Sequence, residues 1–149
     1  MLTLKTGLSI LFEDMVMKKV LFVCVHNSGR SQMAEAFFNR YAKGKAIAES
    51  AGTEPANVVD PRVVRVMKEI GIDVSGKQPR RLTAEMLAGV DRVVTMGCGV
   101  EGVCPASFLP TEDWGLEDPS GKSLAKVREI RDQIENKVEK LVKEILGTD

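Results

Sequence analysis

The chain has 149 residues, of which 44% are hydrophobic, and its 21 basic residues balance its 21 acidic ones. This length fits one domain, and zero net charge disfavours a general nucleic-acid binder, which usually carries a basic excess. No apolar run approaches the roughly 20 residues that cross a membrane, so we expect neither nucleic acid nor membrane as a partner.

Residues 1–17 precede the first strong strand pattern. Their apolar stretch is interrupted by Glu13 and Asp14, and no Ala-x-Ala cleavage signal follows, so we predict no export signal. Two interpretations stay open: an extension that packs on the surface, or a start codon assigned too early. We therefore treat 1–17 as an N-terminal extension of open status and 18–149 as a single domain.

A strand, a tight loop and a helix follow in that order. Residues 19–24 read KVLFVC, a continuous β-branched and aromatic run that is typical of a strand covered on both faces. The polar stretch HNSGR comes next. From Ser31 onward, Met33, Phe37 and Tyr41 recur every four residues, which predicts a helix.

The later elements alternate in the same way. We predict a strand over 46–51, a helix from Asp60-Pro61 to Gly71, a helix over 83–88, a strand over 91–96, a short strand within 108–114 and a long amphipathic helix from 124 to 145 with solvated charges. Alternating strands and helices indicate an α/β three-layer sandwich with a four-stranded parallel sheet. Ligands of such sheets bind at the carboxyl ends of the strands, and both Cys24 and Gly97 follow strand ends.

The loop after the first strand has the pattern of an oxyanion site. Cys24 and Arg30 are separated by five residues, and a short loop at a helix N-terminus turns backbone N–H groups toward an anion. Arg30 can donate two parallel hydrogen bonds, and its field favours the Cys24 thiolate. Gly29 allows backbone geometry that a side chain resists. The predicted oxyanion-binding residues are Val25, His26, Asn27, Ser28, Gly29, Arg30 and Ser31, with Ser28 and Ser31 donating to the thiolate and Asn27 locking the loop.

His26 is the only histidine of the chain. A neighbour two residues along a tight loop points away from the sulfur, so we assign it a structural role. One histidine and three cysteines at these spacings make a poor zinc set, and we predict no metal. Three cysteines also suit a reducing compartment, so we expect a cytoplasmic protein.

The sequence CVHNSGRSQMAEAF resembles the nucleophile loop and first helix of the low-molecular-weight protein tyrosine phosphatase fold, and within it the thioredoxin-coupled arsenate reductases. The resemblance runs from about residue 18 to the final helix and includes SAGTE at 50–54, GIDVS at 71–75 and the pair Asp118-Pro119. It implies that Cys24 attacks the oxyanion, that Arg30 binds it, and that Asp118, rather than Glu117, is the general acid.

Cys98 and Cys104 flank a stretch with two glycines, directly after Gly97. The resemblance implies a disulfide cascade: Cys98 attacks Cys24, arsenate leaves as arsenite, and Cys104 then attacks Cys98. Thioredoxin would reduce the final disulfide. No cofactor is required, and we expect a monomer.

The sequence departs from the family pattern at two places. The middle cysteine usually follows the strand's threonine by two residues, but Cys98 follows Thr95 by three, with Gly97 in the usual place. Some members also hold a potassium ion with residues that match Asn27, Glu35 and Ser50, plus an acidic residue. Arg80 stands near that acidic position, so we predict no potassium site.

Two other functions stay open. A tyrosine phosphatase would use the same Cys24, Arg30 and Asp118, forming a phosphocysteine that water hydrolyses. However, phosphatases of this fold carry aromatic residues after the Asp-Pro pair, whereas this chain has Ser120-Gly121-Lys122. A non-catalytic redox or arsenic sensor is disfavoured because a sensor has no need of a general acid.

Overall fold

The structure is a computed structural model that describes residues 17–97 and 111–147. Its elements are β1 (Lys18–Cys24), α1 (Arg30–Ala42), β2 (Ala46–Gly52), α2 (Pro61–Lys68), α3 (Ala84–Ala88), β3 (Arg92–Thr95), β4 (Thr111–Asp113) and α4 (Leu124–Leu146). The four strands form one sheet in the order β2-β1-β3-β4, and every pair is parallel. The predicted fold class is therefore confirmed. Two of the predicted site residues, Cys98 and Cys104, lie outside the described residues, as do residues 1–16.

The central strand β1 is buried on both faces, as its continuous apolar run predicts. Successive side chains of a strand point to opposite faces, so Phe22 packs with one cluster and Leu21 with another. The first cluster contains buried residues of α1, α2 and α4, and partly buried side chains of α3 pack against the second. Helices thus cover both faces of the sheet, which gives the three layers.

The helix starts follow the capping residues seen in the sequence. Asp60 accepts a hydrogen bond from the Arg62 N–H, with Pro61 at the first helical position. The helix α2 ends at Lys68, three residues before the predicted end at Gly71, which instead occupies the turn with φ of 81°. In the described ranges, no helix combines the length and apolar character that crossing a membrane requires.

Arg131 is an exception to the prediction that the charges of α4 are solvated. Only 8% of it is exposed, and its Nη1 donates to the Val66 carbonyl at 2.8 Å and to Glu69 Oε1 at 3.1 Å. Glu69 also accepts from the Nε and Nη2 of Arg128. These bonds join the end of α2 to α4 across the outer layer.

The Glu69 carboxylate should make the free energy of unfolding depend on pH. Hydrogen bonds from Arg128 lower its pKa from 4.5 to about 2. Because the folded state holds the carboxylate ionised, the stabilisation is present above pH 4.5 and is lost as the pH falls toward 2. We expect Glu69→Gln to lower the urea midpoint at neutral pH and the difference from the parent to shrink near the acid end. Glu129→Gln, which removes an exposed i,i+3 pair with Lys126, is the control and should change the midpoint little at any pH.

Candidate active site

The loop from Cys24 to Arg30 lies at the carboxyl end of β1, and a second segment, residues 53–60, binds its backbone carbonyls. Four of its backbone carbonyls accept hydrogen bonds from backbone N–H groups of residues 53–60. The pairs are Thr53 N to Cys24 O (3.2 Å), Glu54 N to Val25 O (2.8 Å), Ala56 N to His26 O (2.9 Å) and Asp60 N to Ser28 O (2.9 Å). Since the carbonyls are bound on the outer side, the amide N–H groups of the same peptides face the opposite way, as in a backbone nest for an anion.

Asn27, rather than Gly29, has the left-handed backbone of this loop. Its φ is 52°, and its side chain is fully buried. Gly29 has φ of −141°, so it does not adopt the left-handed backbone conformation that glycine allows. A Cβ at Gly29 would lie 3.0 Å from Cγ of Pro119. The missing side chain therefore lets the Asp118-Pro119 loop approach the nucleophile loop.

Cys24 is 3% exposed, and its sulfur has two hydrogen-bond partners. The backbone N–H of Asn27 donates to Sγ at 3.2 Å, and Ser31 Oγ lies 2.8 Å from it. Asn27 Nδ2 donates to Ser31 Oγ at 2.7 Å, so the Ser31 hydroxyl hydrogen is free to point at the sulfur. Donors aimed at a sulfur stabilise its thiolate form. Ser28, which is also predicted to donate to the thiolate, is not one of these two partners and lines the cavity beside the thiol.

Arg30 is 3% exposed and is held by backbone carbonyls. Its Nη1 donates to the Leu116 carbonyl at 2.9 Å and contacts the Met96 carbonyl at 3.5 Å. Its Nη2 lies 3.8 Å from Asp118 Oδ2. The carbonyls fix one side of the guanidinium plane, which leaves the other side for an anion in the cavity.

The cavity in front of Cys24 is small. It is lined by Cys24, His26, Ser28, Gly29, Arg30, Asp60, Asp118, Pro119 and Ser120. Asp118 accepts a hydrogen bond from the Ser120 N–H, which orients its carboxylate. Among the described residues, the lining contains no Phe, Tyr or Trp side chain.

Of the predicted oxyanion-binding residues, Val25, Asn27 and Ser31 do not line the cavity, whereas His26 lines it and also has a contact elsewhere. Val25 packs against the second hydrophobic cluster. The exposed His26 uses Nδ1 to contact the Glu54 carbonyl at 3.0 Å, in line with the structural role predicted for it. Trp114 packs against Phe22 at 5.6 Å between ring centroids.

Sequence reasoning missed two parts of this site. Asp60 was interpreted only as a helix cap, yet it lines the cavity as well. The segment 53–60 binds the loop through backbone hydrogen bonds. Because these bonds do not depend on residue type, the sequence does not predict them. The strand end at Gly52 and the helix start at Asp60 are the local signs that such a segment borders the sheet edge.

Gly97, the last described residue before Cys98, lies against the oxyanion loop. A Cβ at this position would lie 2.5 Å from the Leu116 carbonyl oxygen and 2.9 Å from Arg30 Nη1, and φ is 138°. A side chain therefore does not fit here without displacing the Arg30 guanidinium or its carbonyl partner.

We expect Gly97→Ala to weaken the binding of phosphate, used as a tetrahedral oxyanion probe, by at least about tenfold, because Arg30 must move. Isothermal titration calorimetry measures this dissociation constant. Gly121→Ala is the matched control, since Gly121 also has positive φ, at 73°, but nothing lies within 4 Å of its added Cβ. Equal weakening in both variants would show that backbone strain, and not contact with Arg30, is responsible.

A buried carboxylate lies behind the loop. Glu35 is 3% exposed and accepts from Ser50 Oγ at 2.8 Å. Lys77 Nζ lies 3.0 Å from one of its oxygens, and Arg80 Nη2 lies 3.5 Å from the other. The resemblance matches Glu35, Ser50 and Asn27 to potassium ligands. In this chain Lys77 and Arg80 contact the Glu35 carboxylate directly. Residues 17–97 and 111–147 contain no group of three or more His, Cys, Asp or Glu side chains arranged for a metal ion.

Comparisons with known proteins agree with this geometry. The sequence model of the low molecular weight phosphotyrosine protein phosphatase family matches residues 19–148. A glutaredoxin arsenate reductase of Synechocystis is 42% identical over 133 residues, covering 87% of this chain and 99% of that protein. A solved arsenate reductase in the phosphate binding state has a TM-score of 0.78 and 41% identity, covering 87% of this chain and 99% of that one. A thioredoxin-dependent arsenate reductase of Corynebacterium glutamicum has a TM-score of 0.75 and 37% identity, covering 88% of this chain and 63% of that one.

Proposed function

Because this chain belongs to the low molecular weight phosphotyrosine protein phosphatase family, we propose that it is an arsenate reductase that converts arsenate to arsenite in arsenic detoxification. The fold, the oxyanion loop and relatives named arsenate reductases at 34–43% identity support this activity.

The observation that carries the proposal is the contact between Gly97 and Arg30. Gly97 lies against the guanidinium that faces the cavity, and Cys98 is the next residue in the sequence. We take the Cys98 thiol as the second sulfur of the reaction. A hydrolase needs no such thiol, whereas a reductase needs one to attack the first sulfur and supply electrons for the reduction of arsenic.

Arsenate is a tetrahedral oxyanion, and the site offers three kinds of donor to it. The loop N–H groups face away from the bound carbonyls, the helix α1 begins at Arg30, and the guanidinium adds a charged donor. Each of these stabilises an anion more strongly in a small cavity than in water. The solved relative in the phosphate binding state supports an oxyanion at this place.

The first chemical step is attack of the Cys24 thiolate on arsenic. Asn27 N and Ser31 Oγ stabilise the thiolate, and a hydroxide must leave the arsenic as the sulfur–arsenic bond forms. Asp118, on the cavity wall beside Arg30, protonates this hydroxide so that it leaves as water. Arsenic is still in its pentavalent state after this step.

The reduction occurs when a second sulfur attacks the first. Cys98 attacks Sγ of Cys24, the sulfur–arsenic bond breaks, and its electron pair stays on arsenic, which leaves as arsenite. A Cys24–Cys98 disulfide forms. Cys104 then attacks Cys98, so that the Cys24 thiolate is released and a Cys98–Cys104 disulfide remains. The two thiols thereby supply the two electrons that arsenic gains.

An external dithiol must reduce the last disulfide, and we assign this role to thioredoxin. The Corynebacterium glutamicum relative is thioredoxin-dependent, whereas the Synechocystis relative is named a glutaredoxin arsenate reductase. We place the enzyme in the cytoplasm, where thiols are kept reduced, and assign it a monomeric state.

Phosphatase activity is the alternative that the shared site makes testable. Ser120 and Gly121 are exposed and directly follow the Asp118-Pro119 pair, so among the described residues no aromatic side chain follows this pair to hold a phenyl ring. We expect aryl phosphate hydrolysis to be slow in comparison with arsenate reduction.

A coupled assay tests the proposed function. The full chain is incubated with thioredoxin, thioredoxin reductase and NADPH, and arsenate-dependent NADPH oxidation is recorded. Replacing the thioredoxin pair by glutaredoxin, glutathione and glutathione reductase identifies the donor. Oxidation with either pair supports the reductase, and oxidation with neither, together with rapid aryl phosphate hydrolysis, would make the protein a phosphatase.

A further inference from the structure

Gln32 lies behind the oxyanion loop, and none of the steps proposed above uses it. It belongs to α1 and is 2% exposed. Its Nε2 donates to the carbonyl and to Oδ1 of Asn27, both at 3.1 Å, and lies 3.4 Å from the Gln78 carbonyl. Its Oε1 has no hydrogen-bond partner within the described part of the chain.

The orientation of this amide is fixed by its surroundings. All three groups around Nε2 are acceptors, so turning the amide over would bring oxygen against oxygen. Burying an amide oxygen without a donor is unfavourable, and an apolar side chain of similar length would avoid that penalty. The benefit of the amide therefore lies in its N–H groups, which face Asn27 and Gln78.

Two donors, the Gln32 amide and the Arg80 backbone N–H, set the direction of the next hydrogen bonds. Asn27 Oδ1 accepts from Gln32 Nε2 and from the backbone N–H of Arg80 at 2.8 Å. Its Nδ2 is thereby left to donate to Ser31 Oγ, and the Ser31 hydroxyl is left to donate to the Cys24 sulfur.

We propose that Gln32 is a positioning residue that, together with the Arg80 backbone N–H, sets the direction of this chain of hydrogen bonds, and so keeps the Ser31 hydroxyl as a donor to the Cys24 thiolate. The inference rests on the proposed function only in taking Cys24 as the nucleophile. Gln32 itself touches neither the sulfur nor the oxyanion cavity, and it acts through the orientation of Asn27.

Alkylation of Cys24 measures the thiolate without arsenate or an electron donor. The tryptic peptide from Val20 to Arg30 contains Cys24 and no other cysteine, so mass spectrometry follows this thiol alone in the reduced full chain. In Gln32→Met we expect the midpoint of the pH–rate curve with iodoacetamide to rise by about one pH unit, and the rate below it to fall about tenfold. The titratable and charged groups that face the cavity are His26, Arg30, Asp60 and Asp118, and behind the loop Glu35, Lys77 and Arg80; all of them are unchanged in this variant.

Two further variants separate positioning from packing. Gln32→Leu removes the amide donors without adding a charge, so it should shift the midpoint in the same direction. Asn39→Leu removes a comparable amide of α1, which bonds to the backbone N–H and carbonyl of Ala48, and it should leave the midpoint unchanged. Midpoints at the parent value in both Gln32 variants, or an equal shift in Asn39→Leu, would overturn the proposal.

The parent protein offers a test that does not depend on the folding of a variant. The side-chain amide resonances of Asn27 and Gln32 should both shift as Cys24 is titrated, while those of Asn39 stay constant. A Gln32 signal that does not respond would contradict the proposal. Because neither measurement involves arsenate, loss of the proposed reductase activity and loss of this positioning role give separate results.

Discussion

Replacing Cys104 by serine is expected to limit the protein to one arsenite for each chain. Cys24 and Cys98 can still complete the reduction in this variant, but nothing then attacks Cys98, so the Cys24–Cys98 disulfide accumulates. Steady-state turnover should fall by at least about 10³-fold, while a single turnover proceeds. Arsenite is counted by quenching a reaction with excess arsenate, and the disulfide is identified by peptide mass spectrometry.

Cys98→Ser is the matched variant, because it stops the same reaction one step earlier. We expect no arsenite and no disulfide, since the sulfur–arsenic bond has no thiol to break it. Aryl phosphate hydrolysis should remain at the parent level in both variants because Cys24, Arg30 and Asp118 are unchanged. Equal arsenite yields from the parent and from Cys98→Ser would remove Cys98 from the proposed mechanism.

Arg30→Lys is expected to lower kcat/KM for arsenate by about 10²–10³-fold, although the charge is kept. The guanidinium donates to the Leu116 carbonyl with one nitrogen and presents another beside Asp118. A single ammonium cannot hold that carbonyl and also bind two oxyanion oxygens in one plane. Steady-state kinetics and phosphate binding measure the loss together.

Arg81→Lys is the control for this substitution. Arg81 is exposed, donates to the Thr53 carbonyl at 3.1 Å and does not line the cavity. It should retain the parent kinetics, and a loss as large as that of Arg30→Lys would show that the general field of the surface, rather than the bidentate geometry, controls binding.

Local patterns were sufficient to predict the elements around the candidate site. The run from Lys19 to Cys24 predicts a strand buried on both faces because each of its side chains must find an apolar partner. The four-residue spacing from Met33 predicts the helix after the loop for the same reason. Both predictions are confirmed, and their junction is where the anion nest forms.

The contacts that shape the site could not be predicted, because they join residues far apart in the sequence. The Arg80 N–H reaches Asn27 across 53 positions, and a backbone donor has no residue type of its own. Arg131 is different, since it lies four residues after Val127 and three before Ile134. Helical spacing puts Arg131 on the buried face. The spacing therefore predicts its burial, whereas its charge alone predicts exposure to solvent.

The central claim is that Cys24 attacks one bound oxyanion and that Cys98 and Cys104 then attack sulfur in turn, and disulfide mapping after a single turnover tests it most directly. The reduced chain is mixed with one equivalent of arsenate without any donor, quenched with acid, alkylated and digested. We predict one arsenite per chain, a Cys98–Cys104 disulfide and a free Cys24 thiol. Three free thiols with the arsenate unchanged would contradict the account.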